Sequence, residues 1–576
     1  IDNLSFNWYL NDYWTVKGQF SVTKKYSKSE KFIDPLSSKT SVTGSKDNNL
    51  AGDLYTTNGE SLDWNSNAFL YYTRSFNKQH NLNVSAGWEA ASGTTESTNA
   101  HYRGFPSGEF HSLNYAAEVY KKPTRTENTT RRVSVLASAN YTWNDIYLVD
   151  ASVRFDGSSE FGANQKWAPF FSGGLGVNIH NYDFFKSNGY INKLKLRASY
   201  GRTGKVNFPA YAATTMYETL FDEWYITGYG AVLKALGNKD LTWEKTDKLS
   251  VGIETKTFHD RLTVDFEYYY NKTIDLVNDV TLSQTSGFST YKDNMGQVAN
   301  KGVELKLRAD IYRDRNWNVA LWGNMAHNKN EILKISDSQK AYNERVAAYY
   351  KNEALYQETL GLSHGAEYSV PLPQYEEGAS LTSIWAVRSL GIDPTTGKEI
   401  FLNRDGSIAD KWNAAQEVVV GNTEPKCSGA FGLNLSYKNW TLFASFLYEW
   451  GGQEYNQTLV NNVENADLVN KNVDLRVLTD RWKKPGDIAQ FKDIKDRGMT
   501  TLPTSRFVQD KALVRLNSLN VSYDFNRDWI KKHLRMNLLR LEASTSDLIN
   551  WSSIKQERGL SYPRSWKVEF SLKAQF

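Results

Sequence analysis

The chain closes on the stretch Trp566-Lys-Val-Glu-Phe-Ser-Leu-Lys-Ala-Gln-Phe576, in which even positions are apolar and odd positions are polar or charged. Side chains of a strand alternate between two faces, so this period of two predicts a β-strand with one apolar and one polar face. In water, such a strand would leave an open edge that invites aggregation. In a closed membrane barrel no edge is open, and a terminal aromatic ring lies at the lipid–water boundary.

The same alternation recurs along the chain. Apolar residues occupy every second position in 133–143, 194–200, 262–268 and 303–311, and mostly polar or charged residues lie between them. A charged side chain facing lipid costs about 2–4 kcal/mol at the bilayer midplane. The polar positions must therefore face water, and the sequence predicts an all-β fold, a transmembrane antiparallel β-barrel.

Composition narrows the function classes. The mean hydropathy of −0.57 and the lack of long apolar runs argue against membrane-spanning helices. The net charge is only +4, and residues of both signs are interspersed along the chain, so the sequence shows no basic patch typical of nucleic-acid binding. Cys427 is the single cysteine, so no intrachain disulfide or thiolate metal cluster can form. The eight histidines show no zinc spacing, and we predict no catalytic residue, no metal and no cofactor.

Short and long connections alternate, as in outer-membrane barrels with short periplasmic turns and long external loops. Tight turns are predicted at Asn11-Asp12, 77–80, Asn144-Asp145, 258–260, 312–316 and Lys438-Asn439, with a helical turn at 526–534 and a broader bend at 180–191. Long segments are predicted at 28–60, 91–129, 203–242, 276–298, 330–427, 450–511 and 547–564. The hairpins between them give roughly 17 strands, and we expect an odd number of strands before Ile1.

Nine motifs, in order along the chain, resemble the SusC/RagA family of TonB-dependent outer-membrane transporters of Bacteroidetes. They lie at 150–162 (Asp-Ala-Ser-Val-Arg-Phe-Asp-Gly-Ser-Ser-Glu-Phe-Gly), 166–170, 194–204, 241–246 (Leu-Thr-Trp-Glu-Lys-Thr), 268–271, 294–304, 385–397, 451–456 and 481–487. The resemblance implies a barrel of about 22 strands, an internal plug domain, and a TonB box near the true N-terminus. It also implies a SusD-like surface lipoprotein that covers the barrel from outside.

Against that family pattern, residues 1–576 are expected to be one barrel domain that is incomplete on its N-terminal side. The plug domain and about five strands would not be in this chain, and TonB would act through the missing segment. Two aromatic features, Trp243 and the cluster 268–270, are expected at the membrane-interface girdles. Gly302 is expected to permit a bulge or bend where a strand leaves a loop.

The function that the resemblance implies is nutrient import across the outer membrane, with an oligosaccharide or a peptide as ligand. Weak candidates for substrate contact combine aromatic and acidic residues in long loops: Asp222, Trp224, Tyr225, Tyr349 and Tyr350. Three alternatives stay open: a β-rich hydrolase acting on glycans in the outer membrane or secreted, a structural or adhesive barrel, and a soluble all-β protein.

The two faces of the last strand generate a prediction. Val568→Arg, made in the intact protein, should disrupt assembly because it puts a charge on the lipid face, whereas Glu569→Arg on the polar face should be tolerated. Heat-modifiable mobility in gel electrophoresis measures assembly. Equal behaviour of the two variants would contradict the assignment of faces.

Overall fold

The computed structural model describes residues 2–37, 39–40, 50–186, 189–226, 228–281, 290–294, 296–335, 340, 343–344, 375–413, 416–468, 473–495, 501–555 and 567–576. Within these ranges no helix has the length and apolar character needed to cross a bilayer.

The described secondary structure is mostly extended. In chain order the strands are β1 (Asp2–Tyr9), β2 (Trp14–Ile33), β3 (Asp53–Phe76), β4 (His80–Arg103), β5 (Glu118–Trp143), β6 (Tyr147–Ser158), β7 (Trp167–Asn178), β8 (Ile191–Lys205), β9 (Met216–Tyr225), β10 (Gly228–Ala235), β11 (Glu244–Thr257), β12 (Leu262–Ile274), β13 (Val277–Thr281), β14 (Thr290–Asn294), β15 (Gln297–Arg313), β16 (Trp317–Lys334), β17 (Ser383–Ile392), β18 (Glu399–Leu402), β19 (Ile408–Ala409), β20 (Glu417–Asn422), β21 (Cys427–Tyr437), β22 (Trp440–Tyr455), β23 (Val508–Asp524), β24 (Leu538–Thr545), β25 (Asn550–Ser552) and β26 (Val568–Gln575). Short helices are α1 (Asp183–Lys186), α2 (Gln457–Leu459), α3 (Arg476–Thr479) and α4 (Arg527–Leu534), with 3₁₀ turns at Leu113–Tyr115, Ile179–Asn181 and Ser505–Phe507 and a π turn at Val460–Glu464.

The chain divides into two compact units. The first comprises Ile1–Leu175, Tyr200–Thr246 and Val277–Asn294, and the second comprises Gly176–Ser199, Asp247–Leu276 and Met295–Phe576. In the first unit, strands β1 to β6 form an antiparallel meander in which each strand pairs with the next. The hydrogen bonds of each strand are thus met by its sequence neighbours.

The two faces of this meander differ as the alternation predicts. On β5 and β6, the large apolar side chains of one face are solvent-exposed, among them Val135 at 56% and Val153 at 59%. The intervening positions carry Ser134, Arg154 and Asp156, which form polar contacts with one another. Apolar stripes repeated on successive strands are too extensive for a surface in water, and they fit contact with hydrocarbon.

The predicted tight turns are all confirmed. Both Asn77 and Asn144 adopt positive φ, at 50° and 53°, between strands that pair in register. Asparagine tolerates this left-handed conformation better than most residues, and it therefore favours the tight turns of β-hairpins. The predicted helical turn after Asn526 is α4, and the Asn526 side chain caps it by accepting from the backbone N–H groups of Asp528 and Trp529.

Two of the predicted long segments, 28–60 and 91–129, are shorter than the sequence indicated. Strands β2 and β3 leave only residues 34–52 between them, and β4 and β5 leave only 104–117. The expected loops 28–60 and 91–129 were therefore wrong at their edges. Strands of 24 to 26 residues exceed the roughly 9–11 residues that cross a bilayer. Their extensions are polar on both faces because water bathes both, so alternation could not reveal them.

In the second unit, β12, β15, β16, β21, β22, β23, β24 and β26 pair antiparallel in that order. Strands β24 and β25 pair with successive parts of β23, so they are one strand interrupted near Asp547, which has φ 60°. Of the 18 strands that the described residues contribute to the principal sheet, two therefore share one position. This agrees with the predicted count of about 17 or slightly more.

The pairing of β15 is regular at Gly302, so the expected bulge there was wrong. A Cβ at this position would lie 2.0 Å from the carbonyl oxygen of His327 and 2.6 Å from the Tyr269 hydroxyl. The Tyr269 hydroxyl donates to Asn328 Oδ1 at 2.9 Å. Gly302 is therefore needed for close approach of a neighbouring side chain and backbone.

Two long segments of the second unit fold together into what we call the loop module, which comprises the described residues within 383–422 and 456–507. Its four-stranded sheet has the order β19-β18-β17-β20. The second segment packs on a buried core that includes Phe491 and Phe507. The two segments are joined where Val387 N–H donates to the Pro503 carbonyl at 3.1 Å, and where Arg506 bridges Glu399 at 2.9 Å and Glu464 at 2.7 Å.

Trp243, which belongs to the Leu-Thr-Trp-Glu-Lys-Thr motif, is buried in an aromatic cluster of the first unit. Its ring stacks on Phe161 at 4.1 Å and meets Phe170 edge-on at 5.5 Å. A Cβ at Gly204 would lie 2.1 Å from the Phe170 ring, so the cluster needs glycine there. The expected place of Trp243 in an interface girdle was wrong, because only 6% of the residue is exposed.

Burial of Trp243 generates a second prediction. Trp243→Ala should lower the free energy of unfolding by about 3–5 kcal/mol, because it empties a packed aromatic site. Trp243→Phe should cost less than about 1.5 kcal/mol, because it keeps a ring and removes an indole N–H that has no hydrogen-bond partner in the described part of the chain. Urea unfolding of the refolded protein measures both, and similar losses would contradict this account.

Glu417, in β20 of the loop module, generates a third prediction. Burial raises the pKa of its carboxyl to about 7, an effect that the nearby Arg404 guanidinium opposes. The folded module therefore holds a proton that the unfolded chain releases near its usual pKa of 4.5, and stability should fall as the pH rises from about 4.5 to 7. Glu417→Gln should flatten this dependence, measured as the rate of limited proteolysis in the module at pH 5 and pH 8.

The exposed Glu376→Gln is the matched control and should keep the slope of the unchanged protein. A pH dependence that survives in Glu417→Gln would assign it to another group.

Candidate functional site

The polar face of the first unit holds a cavity of about 790 Å³. Strands β2 to β6 and the end of β8 supply most of its lining. The lining residues are Gln19, Asn65, Ser66, Asn67, Glu89, Ala90, Ala91, Arg132, Ser134, Arg154, Asp156, Gly157, Gly204, Lys205, Val206 and Trp243. This volume lies in the range of ligand-binding pockets.

One row of the cavity is set by strand register. Gln19 lies opposite Asn67, Asn67 opposite Glu89, Glu89 opposite Ser134, and Ser134 opposite Asp156. Directly opposed residues of an antiparallel pair point to the same face. Five neighbouring strands thus present five polar side chains in a line, which we call the polar row.

Arg154 joins the polar row from the next register position on β6. Its guanidinium contacts Glu89 Oε2 at 3.0 Å and Asp156 Oδ1 at 2.5 Å, and it donates to Ser134 Oγ at 2.9 Å. These contacts fix the orientation of one cation and two carboxylates on β4 and β6, with a hydroxyl of β5 between them. The three side chains are partly exposed, so they can exchange partners with a ligand.

A second ion pair lies beside the polar row. Arg132 Nη2 contacts Glu160 Oε2 at 3.1 Å, and Ser158 Oγ donates to the same oxygen at 3.2 Å. The Glu160 side chain is buried, whereas that of Arg132 is largely exposed. Trp243 and Val206 add apolar surface to the same cavity.

Chemically, the cavity can accept and donate hydrogen bonds and can neutralise either sign of charge. Its carboxylates are engaged with arginines, an arrangement suited to holding polar ligands. Within the described ranges, no group of three or more His, Cys, Asp or Glu side chains could hold a metal ion.

The side chains of the loop candidates from the sequence lie outside the described part of the chain. Asp222, Trp224 and Tyr225 belong to β9, which pairs with β10 as a separate two-stranded sheet, and their side chains fall outside the described part. Tyr349 and Tyr350 lie outside the described residues altogether. Their role as substrate contacts stays a prediction.

Sequence reasoning missed the polar row, although a signal for it was available. Glu89, Ser134 and Asp156 each alternate with exposed apolar residues: Trp88, Val135 and Phe155. The confirmed turns at Asn77 and Asn144 fix the register of β3 with β4 and of β5 with β6. Counting residues back from those turns would place Asn67 opposite Glu89 and Ser134 opposite Asp156. The pairing of β4 with β5 then joins these two pairs into the polar row.

Comparison with known proteins agrees with this architecture. Residues 2–538 match the family described as TonB dependent receptor-like, beta-barrel. The TonB-dependent receptor P39 of Formosa agariphila is 26% identical over 89% of this chain and 53% of the receptor. The TonB-dependent receptor SusC of Bacteroides thetaiotaomicron is 29% identical over 42% of this chain and 25% of SusC.

Solved structures of similar fold include the RagAB peptide importer in its open-open state, with a TM-score of 0.81 at 22% identity. That match covers 100% of this chain and 60% of the other. The chain thus spans about half the length of its first curated relative and somewhat more of this structural neighbour. With a family match over most of its length and an antiparallel sheet that is apolar on one face, the chain belongs to the TonB-dependent receptors of the outer membrane, within their β-barrel portion and among the SusC/RagA-like members.

Proposed function

We propose that this chain forms barrel wall in an outer-membrane importer that takes up oligosaccharides or peptides by TonB-dependent transport. The observation that carries the proposal is the polar row with Arg154, which lines a cavity on the face opposite the lipid-facing stripes. A barrel interior through which polar ligands move needs hydrogen-bonding groups, and its charged side chains need to be paired with side chains of opposite charge. The curated relative SusC and the RagAB structures support nutrient import as the activity.

The partners are part of the same proposal. A SusD-like surface lipoprotein would cover the barrel, and TonB would act on a plug domain supplied by the intact protein. The structural neighbour RagAB is described as a peptide transporter, and this supports a peptide as one of the two cargo classes. We propose a transport role without turnover, since the paired carboxylates of the cavity contact arginines and hydroxyls.

The cavity generates a fourth prediction. Arg154→Gln, made in the intact protein, should raise the half-saturation concentration for uptake about fivefold, which corresponds to about 1 kcal/mol for a partly exposed charged contact. The matched control is Arg125→Gln, which removes an exposed ion pair with Glu96 at 2.6 Å and lies outside the cavity lining. Uptake of labelled peptides and oligosaccharides by cells measures both variants.

The amount of protein in the outer membrane must be equal in the two variants. Unchanged uptake in Arg154→Gln at equal abundance would remove the cavity from the cargo path. Release of cleaved glycan by the purified protein would instead support the alternative of a hydrolase.

A further inference from the structure

A second cavity lies in the loop module of the second unit, with a volume of about 420 Å³. It opens between the two segments of the module, where the Trp412 indole N–H donates to the Pro503 carbonyl at 2.9 Å. The Trp482 indole N–H donates to the Pro394 carbonyl at 2.8 Å and ties the same segments together. The walls of this cavity are therefore fixed by contacts between segments that are distant in sequence.

The cavity has two buried polar atoms without partners in the described part of the chain. They are Oε1 of Glu399 and Oγ1 of Thr504, and both residues line the cavity. The Glu399 side chain is 9% exposed and Thr504 is 1% exposed. A buried polar atom left unpaired costs about 1–3 kcal/mol, so a ligand that pairs with both would gain from them.

The other lining side chains define the ligand further. Three lysines, Lys398, Lys411 and Lys492, outnumber the carboxylates of Asp410 and Glu399. One oxygen of Glu399 is already neutralised, since Arg506 contacts its Oε2 at 2.9 Å. The field inside the cavity therefore favours an anion.

Aromatic and apolar side chains, Trp412, Phe401 and Leu502, line the same space. Rings of this kind pack against the apolar faces of other rings. A ligand that suits all of these groups has an apolar ring face, hydroxyl groups and an acidic substituent.

We propose that this cavity of the loop module binds a sugar unit that carries an acidic substituent, either a carboxylate or a sulfate ester. The unpaired oxygens of Glu399 and Thr504 form hydrogen bonds with the sugar hydroxyls. The lysines form ion pairs with the anionic group, and the sugar ring packs against the aromatic side chains. Its lining shares no residue with the cavity of the polar row, and its test does not require transport.

Binding is measured by calorimetry on the detergent-solubilised intact protein. The probes are a galacturonic acid disaccharide, a sulfated galactose disaccharide, the neutral galactose disaccharide and sodium sulfate. We expect both acidic disaccharides to bind at least tenfold more tightly than the neutral one, with weaker binding at high salt. The relative affinity of the two distinguishes the carboxylate from the sulfate.

Two variants separate the parts of the site. Lys411→Gln should weaken binding of the acidic disaccharides at least fivefold. Thr504→Val should weaken binding several-fold without lowering the melting temperature, because it removes a hydroxyl that is unpaired in the free protein. Lys484→Gln, in the same module but outside the lining, is the control and should bind as the unchanged protein does.

Binding of the neutral disaccharide as tightly as the acidic ones would overturn the proposal, and so would the absence of binding at millimolar concentration. Equal binding of sodium sulfate alone would show an anion site without sugar recognition. Equal binding of a Glu-Glu dipeptide would assign the site to acidic peptides. A Thr504→Val variant that keeps full affinity would remove the buried hydroxyl from the site.

Discussion

The backbone needs a hydrogen-bond partner for every N–H and C=O group that lies in hydrocarbon, and this need governs the rest of the structure. Antiparallel pairing of sequence neighbours meets it, as β2 to β6 show over their long shared register. Pairing then dictates the side chains, since each strand must offer lipid one face and water the other. The polar row follows from that division, because polar side chains excluded from lipid collect on the remaining face.

The sequence predicted the elements that this constraint controls directly. The lipid-facing stripes and the turns at Asn77 and Asn144 followed from period-two alternation and local turn chemistry. Prediction failed where the constraint is absent. The polar extensions of β3 and β4 are bathed by water on both sides, so their residues, such as those in 94–99, carry no alternation.

The sites needed information that is not local. The sequence around Trp243 predicts an aromatic residue at the membrane interface. Its burial depends instead on contacts with Phe161 and Phe170, which are distant in sequence. The contact of Arg154 with Glu89 depends on the register between two hairpins. The cavity of the loop module depends on Thr504 and Glu399 meeting across more than a hundred residues, a separation that periodicity cannot bridge.

The bridge that Arg506 makes to Glu399 spans 107 positions of the chain, and the bond from Ser389 N–H to Ser505 Oγ spans 116. Closing so long a stretch costs chain entropy before any contact compensates for it. The single hairpin of β21 and β22 reduces this cost, because it brings the two segments of the loop module near each other. We therefore expect the local β21–β22 hairpin to form before the loop module, whose two segments would then stay open to proteases for longer during folding.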